Sequence, residues 1–397
     1  MRILISTSHL GLVGGVQTYL RTLLPKLSEK GYSLGLVYQF TNLDYLDTVL
    51  SKEHSVQTFH LDNRNANQTL KAVDKWKPDI VFNQGLSNTN FESELANKYP
   101  TIFYAHSTYG SCISGTKMFS FPNNKVCSKA LDNKCILNYV LRGCGGRNIF
   151  KIYRLLKDSL AQKKNLYKYK KILVASDWMR EVLIQNIGCF AKVEKVPLFP
   201  TAFLASEEPP EPKKGFNDSL LFVGRISKYK GWDHAIAATE VASCRLGRPL
   251  ALTIIGSGYD EKRLRLKIRG AKIPVIYHGW LSSEQIEREY RKADVLLVPS
   301  LWGEPFGLVG IEAGCFGLPV AGYRVGGISD WLIPGVTGEC GRDGEISIKT
   351  LSDCIVRIMS DIKYRNNLSF NSWALSKAYG LDSHVHQLEK HFVSIVK

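Results

Sequence analysis

The segment Glu304-Pro-Phe-Gly-Leu-Val-Gly-Ile-Glu312 sets two carboxylates eight residues apart around a Pro-Phe-Gly turn. A carboxylate accepts hydrogen bonds through both oxygens, so it can hold the vicinal hydroxyls of a ribose or hexose. Phe306-Gly307-Leu308 follows an apolar run at 295–298 and would open a helix. The N–H groups of a helix start lack intrahelical partners and suit an anionic or hydroxyl-rich ligand. Two carboxylates bracketing such a start could grip two sugars of one ligand. By spacing alone they read as a loop glutamate and an ordinary helix glutamate; the Pro-Phe-Gly between them turns the reading towards a ligand.

A second cluster, Gly224-Arg225-Ile-Ser-Lys-Tyr-Lys230-Gly231, directly follows the apolar run 220–223. Gly224 permits a tight turn. Arg225 supplies a bidentate guanidinium and Lys230 a point charge, a pair suited to a pyrophosphate. The third cluster is Gly11-Leu-Val-Gly14-Gly15-Val-Gln17, where glycines would let backbone N–H groups approach phosphate. It is not Gly-x-Gly-x-x-Gly, and Gly256-Ser-Gly258 fails too because position 261 is Glu. A nicotinamide dehydrogenase is thereby disfavoured. His106 follows the run 101–105; a lone histidine after a strand reads as structural, and its place at the cleft edge turns the reading towards the site.

The elements that must position these residues alternate. In the first half, strands are predicted at 2–7, 33–38, 81–83, 101–104 and 172–174, with a helix over 16–29 whose apolar positions keep helical spacing and which ends before Gly31. Residues 197–214 hold five prolines and three glutamates and read as a linker. The alternation then restarts. Strands are predicted at 220–223, 251–255, 275–277, 295–298 and 319–321, with helices over 232–246, 260–268, 282–292 and from 306. This βαβ pattern implies an α/β chain of two doubly wound, Rossmann-like domains facing a central cleft, with ligands outside the carboxyl ends of the strands.

Taken together, the glycine loop, Gly-Arg-x4-Lys-Gly, Glu-Pro-Phe-Gly-x4-Glu and Gly317-Leu-Pro-Val320 resemble the retaining GT-B glycosyltransferases of family 4, the glycosyl transferases group 1. The resemblance covers nearly the whole chain. It implies a first domain over 1–196 on the acceptor side, a linker over 197–214, a nucleotide-sugar domain over 215–372, and a helix over 373–397 crossing back to the first domain. It implies that Glu304 binds donor-sugar hydroxyls and Glu312 the ribose hydroxyls. Arg225 and Lys230 would hold the diphosphate and stabilise the leaving nucleotide. Phe306, Gly307 and Leu308 would line the donor site through their backbone, and Gly14 and Gly15 would approach the phosphates. His106 matches a family histidine near the anomeric centre of the transferred sugar. The implied donor is a UDP- or GDP-sugar and the implied acceptor a glycan or polyprenyl-pyrophosphate-linked glycan, in building lipopolysaccharide or capsule. No metal is expected, the two cations doing that work.

Lys plus Arg exceed Asp plus Glu by 52 − 36 = 16. No zinc-finger, heptad or RNP-type pattern accompanies the charge, so an anionic membrane surface or phosphorylated substrate is expected rather than nucleic acid. Residues 151–171 interleave eight basic residues with leucines and tyrosines and read either as a membrane-lying helix or as a solvated surface helix. No signal peptide or membrane-spanning run is recognised, so a cytoplasmic chain, peripheral on the inner membrane face, is expected. Cys112, Cys127, Cys135 and Cys144 cluster in an insertion over about 107–148; metal binding, disulfides and packing all remain open. An epimerase or phosphorylase of the same architecture, or a non-catalytic nucleotide-sugar binder, are the competing functions.

Overall fold

The computed structural model describes residues 1–10, 15–41, 56–62, 64–122, 124–145, 148–341 and 345–396. Gly14 and the rest of the 11–14 loop lie outside the described residues. In chain order the first elements are β1 (Arg2–Leu10), α1 (Gly15–Glu29), β2 (Ser33–Thr41), β3 (Gln57–His60), α2 (Ala66–Trp76), β4 (Ile80–Asn83), α3 (Thr89–Lys98) and β5 (Thr101–Ala105). A short hairpin, β6 (Met118–Phe119) and β7 (Lys125–Val126), precedes α4 (Cys135–Leu141), α5 (Ile149–Leu166), β8 (Lys171–Val174), α6 (Asp177–Ile187) and β9 (Val193–Lys195). Then come β10 (Ser219–Val223), α7 (Trp232–Leu246), β11 (Ala251–Ile255), α8 (Glu261–Arg269), β12 (Val275–Gly279), α9 (Ser283–Lys292), β13 (Val295–Val298) and α10 (Leu308–Gly314). The last are β14 (Val320–Gly322), β15 (Gly338–Cys340), α11 (Ile348–Ser360), α12 (Ile362–Ala378) and α13 (Leu381–Val396).

Contacts divide the chain into two units, one of residues 1–115, 128–197 and 381–397, the other of 116–127 and 198–380. The first carries a parallel sheet in the order β3-β2-β1-β4-β5-β8-β9. The second carries a parallel sheet in the order β12-β11-β10-β13-β14-β15. The central strands are apolar runs buried on both faces, as a helix-covered parallel sheet requires. α1 turns Tyr19, Leu20, Leu23, Leu24 and Leu27 inward at helical spacing. In each sheet the strand order reverses once, between β1 and β4 and between β10 and β13, and ligands of such sheets bind at those reversals.

Where one helix is expected over 373–397, the structure has two. α12 ends at Ala378, and Gly380, a poor helix former, separates it from α13. α12 belongs to the second unit, where Trp373 Nε1 donates to the Ser206 carbonyl at 3.0 Å. α13 belongs to the first, where His384 receives the Tyr19 hydroxyl at 2.8 Å on Nε2 and donates from Nδ1 to the Pro197 carbonyl at 2.6 Å. The proline-rich stretch after Pro197 is pinned to the second unit. Lys213 pairs with the buried Asp294 at 2.7 Å, and the Asn366 side chain hydrogen-bonds both the N–H and the carbonyl of Lys213.

α5 ends at Leu166, and Lys171 already lies in β8, so the basic stretch 151–171 is not one helix. The inward face of α5 is occupied: Ile152 and Leu156 join Ile113, Leu131 and Tyr139 in a small core, with Cys135 and Cys144 packed against it. Cys135 Sγ and Cys144 Sγ donate to the carbonyls of Ala130 and Asn138, at 3.8 and 3.3 Å. Among the described residues, no three His, Cys, Asp or Glu side chains converge to hold a metal ion, and no helix is long and apolar enough to cross a membrane.

Candidate functional site

Arg225 and Lys230 leave the carboxyl end of β10, and Glu304 leaves that of β13, the two strands flanking the reversal in the second sheet. Two backbone features bring their loops together. Tyr229 accepts the Leu301 N–H at 2.8 Å. Gly231 (φ +69°) packs so closely that a Cβ there would lie 2.0 Å from the Pro299 carbonyl oxygen. On its other side the Arg225 loop is held by Gly224 N–H to Ile255 and Ile226 N–H to Ser257, at 3.0 and 2.9 Å. Gly256-Ser-Gly258, which is no dinucleotide fingerprint, thus frames the arginine.

Glu304 is buried, 4% exposed. Its Oε1 receives three donors: Lys230 Nζ at 2.5 Å, Trp302 Nε1 at 2.7 Å and Ser300 Oγ at 2.8 Å. Its Oε2 makes no hydrogen bond among the described residues. One oxygen therefore fixes the carboxylate, and the other remains as an acceptor. The backbone is held as well, for Gly327 N–H donates to the Glu304 carbonyl at 2.7 Å. Gly326 (φ +60°) passes so near that a Cβ would come within 2.4 Å of that oxygen. Ser300, Trp302 and the Gly326-Gly327 pair were not singled out by sequence; the first two lie beside Glu304 in the chain, while the glycines carry no local signal.

Glu312 sits in α10, half-buried, with no hydrogen bond or ion pair to its carboxylate among the described residues. Burial pushes its carboxyl up to about 7. Arg225 is exposed, and its guanidinium has no ion pair among the described residues. Gly307 (φ +83°) caps the short α10, and Leu308 is its first residue. Phe306 has a buried ring, and its carbonyl accepts Trp331 Nε1 at 2.7 Å. Arg225, Lys230, Glu304, Phe306, Gly307, Leu308 and Glu312 all lie in the second unit.

His106 and Gly15 lie in the first unit. Gly15 opens α1 and is exposed. His106 follows β5; its Nε2 donates to Gln84 Oε1 at 2.7 Å, and its ring packs against those of Tyr19 and Tyr104. Burial, reinforced by His384, pulls its pKa down to about 3, so it is neutral near pH 7. His384 is held neutral in the same way, at about 4.

With this geometry in hand, the comparisons with known proteins bear on the second unit. Residues 206–372 match the glycosyl transferases group 1. The group 1 region contains Arg225, Lys230, Glu304 and Glu312. A 41.2 kDa uncharacterised protein of the cps region of Klebsiella pneumoniae is 33% identical over 120 residues, 30% of this chain and 31% of that protein. The 2-deoxystreptamine glucosyltransferase of Streptomyces kanamyceticus is 29% identical over 168 residues, 40% of this chain and 43% of that one. The matched stretches thus span less than half the length of these relatives. The crystal structure of Anabaena HepE in complex with UDP-glucose aligns with a TM-score of 0.70 at 14% identity, over 99% of this chain and all of that one. At that identity the likeness is one of fold: the chain has the GT-B fold.

Proposed function

We propose that this protein is a retaining, family 4 hexosyltransferase. It moves a hexose-type sugar from a UDP- or GDP-sugar to a glycan or polyprenyl-pyrophosphate-linked acceptor in cell-surface polysaccharide synthesis. The observation that carries the reading is Glu304, fixed through Oε1 by Lys230, Ser300 and Trp302 with Oε2 left to accept, in the same group 1-matching region as Arg225 and Glu312, neither of which has an ion pair among the described residues. Glu304 Oε2 accepts a donor-sugar hydroxyl. Glu312 accepts the ribose hydroxyls. Arg225 and Lys230 neutralise the diphosphate as negative charge builds on the leaving nucleotide. Backbone groups of Phe306, Gly307 and Leu308 line this donor site, and Gly15 approaches the phosphates. His106, neutral and fixed by Gln84, attends the anomeric centre. The two glutamates recognise hydroxyls here and do not form the acid and nucleophile pair of a glycosidase.

UDP-glucose in the complex of HepE supports a nucleotide-sugar donor, and the cps-region relative supports a capsule or lipopolysaccharide setting. Exposed Phe150 and Tyr153 among the basic residues of α5, with Leu137 and Leu141 exposed on α4, support peripheral docking on the inner face of a membrane. The test is transfer or hydrolysis from a panel of UDP-, GDP- and ADP-sugars. Arg225→Ala and Glu312→Ala are each expected to lower turnover by about 10²-fold or more, with melting behaviour retained. Turnover at the wild-type level in either variant would remove the assigned roles.

A further inference from the structure

Trp302 lies on the connection from β13 to α10, two residues before Glu304, and its side chain is only half-buried. Its Nε1 donates to Glu304 Oε1 at 2.7 Å. That oxygen already receives Lys230 Nζ and Ser300 Oγ, at 2.5 and 2.8 Å. A carboxylate oxygen held by a lysine and a serine needs no third donor to stay in place. What the tryptophan adds is its ring, and a half-exposed ring forgoes part of the burial free energy of a large aromatic side chain. We propose that the Trp302 indole is a platform for the transferred sugar: a neutral hexopyranose of the donor lies with a C–H face on the ring while one of its hydroxyls donates to Glu304 Oε2. The proposal rests on the transferase reading above and adds the residue that selects the sugar.

Position favours this role. In a nucleoside diphosphate sugar the pyranose is bonded to the second phosphate. Lys230 neutralises the diphosphate, and its Nζ lies 5.8 Å from the centre of the Trp302 ring. Glu304 takes a hydroxyl of the same sugar, and it accepts the indole N–H. A hydroxyl–carboxylate bond is only about 2.7 Å long, so a pyranose spanning from Lys230 to Oε2 passes beside the indole. The chemistry agrees. The hydroxyls of a pyranose lie round its edge, where Glu304 meets them, and C–H groups lie on its faces. An aromatic face carries partial negative charge, so it attracts C–H hydrogens made electron-poor by neighbouring oxygens and covers their apolar surface. The charge of Glu304 favours a neutral sugar over a uronic acid, whose carboxylate it would repel.

The platform is preformed. Among the described residues no other aromatic ring packs on the indole, and its one polar atom is tied to Glu304. The backbone is held on both sides. Leu301 is buried, and its N–H donates to the Tyr229 carbonyl at 2.8 Å. Gly303 is buried, and Gly326 runs so close behind it that a Cβ there would lie 2.9 Å from the Gly303 carbonyl carbon and 2.5 Å from the Glu304 nitrogen. A ring fixed in this way needs little ordering when a ligand arrives.

Calorimetric titration of the whole protein tests this with UDP-glucose, UDP-galactose and GDP-mannose, each against its parent nucleotide. The donor with the largest gain in affinity over its nucleotide is then titrated into Trp302→Phe and Trp302→Leu. Phenylalanine keeps a ring and loses the N–H; leucine loses both. The gain is expected to survive within about threefold in Trp302→Phe and to vanish in Trp302→Leu, with nucleotide affinity within about twofold in both, which also shows that the second unit is folded. In the wild type the donor should change tryptophan fluorescence beyond what its nucleotide does, and Trp302→Phe should abolish that difference. Equal loss of the gain in both variants would make Trp302 a positioning residue that acts on Glu304 through its N–H, and would overturn the platform. A full gain in Trp302→Leu, or no donor bound more tightly than its nucleotide, would overturn it too. An unchanged fluorescence difference in Trp302→Phe would overturn it even if the leucine variant does not fold. In each of these outcomes nucleotide binding leaves the transferase reading standing; failure of every donor and nucleotide to bind the wild type would remove both.

Discussion

Replacing Glu312 by glutamine should stabilise the second unit and cripple it at once. The half-buried carboxyl has no partner among the described residues, and burial raises it from the ordinary 4.5 to about 7. An acid whose pKa is raised by folding binds its proton more tightly in the folded state. Its carboxylate therefore costs nothing well below pH 4.5, and the cost grows as pH rises to about 7, beyond which it is complete. The whole shift corresponds to about 3 kcal/mol, and screening at a half-buried site leaves about 1–2 kcal/mol. Glu312→Gln keeps the shape and removes the charge. Scanning calorimetry should show the variant melting roughly 2–8 °C above wild type at pH 8.5, with the gap closing towards pH 4.5. In the same variant UDP affinity should fall about tenfold or more, because two charge-assisted hydrogen bonds from the ribose become neutral ones. A gap of equal size at both pH values would refute the burial argument. Undiminished UDP affinity would refute the ribose role.

Gly231→Ala forces a Cβ to within 2.0 Å of the Pro299 carbonyl at a positive φ, so chemical denaturation should show a loss of about 2–4 kcal/mol, and UDP binding should weaken as Lys230 shifts. Tyr19→Phe removes the buried hydroxyl that donates to His384; the first unit should lose about 1–2 kcal/mol, with UDP binding unaffected. Glu304→Gln weakens the hold on Lys230 and frees it for phosphate. Titrations should therefore show UDP bound at least as tightly as by wild type, while the extra affinity of the UDP-sugar over UDP is lost; a parallel loss of both would contradict the division of roles.

Most of both sheets is legible in the sequence, because central parallel strands are short apolar runs and the helices between them carry one apolar face. α7 is expected over 232–246 and found at Trp232–Leu246. β3 escapes, since Gln57-Thr-Phe-His60 buries only Phe59 and lies at the sheet edge, where neither alternation nor an apolar run is required. The break between α12 and α13 also escapes: Ala378, Tyr379 and Gly380 look like one weak spot in a helical stretch, and only packing shows that the two sides serve different units. At the site, residues that offer charge are legible. Those that set its direction are not: Trp302 and Ser300 look like loop residues until both donate to Glu304, and Gln84 is silent until it holds His106.

The contrast between the two glutamates is more informative than their spacing. Glu304 lies on the connection that leads into α10 and Glu312 within that helix, yet one is paired before any ligand arrives and the other is left costly. Lys230, Ser300 and Trp302 make Glu304 a fixed, charged acceptor whose geometry needs no rearrangement. Glu312 has the burial without the partners, so the folded unit carries a destabilised carboxylate above pH 7 that any pair of hydroxyl donors would relieve. A core serving stability alone would have an apolar residue or an ion pair at that position. Retaining a half-buried carboxylate and an arginine in one unit, each without an ion pair among the described residues, makes sense where a ligand brings both a diol and a diphosphate, and a nucleoside diphosphate sugar brings both.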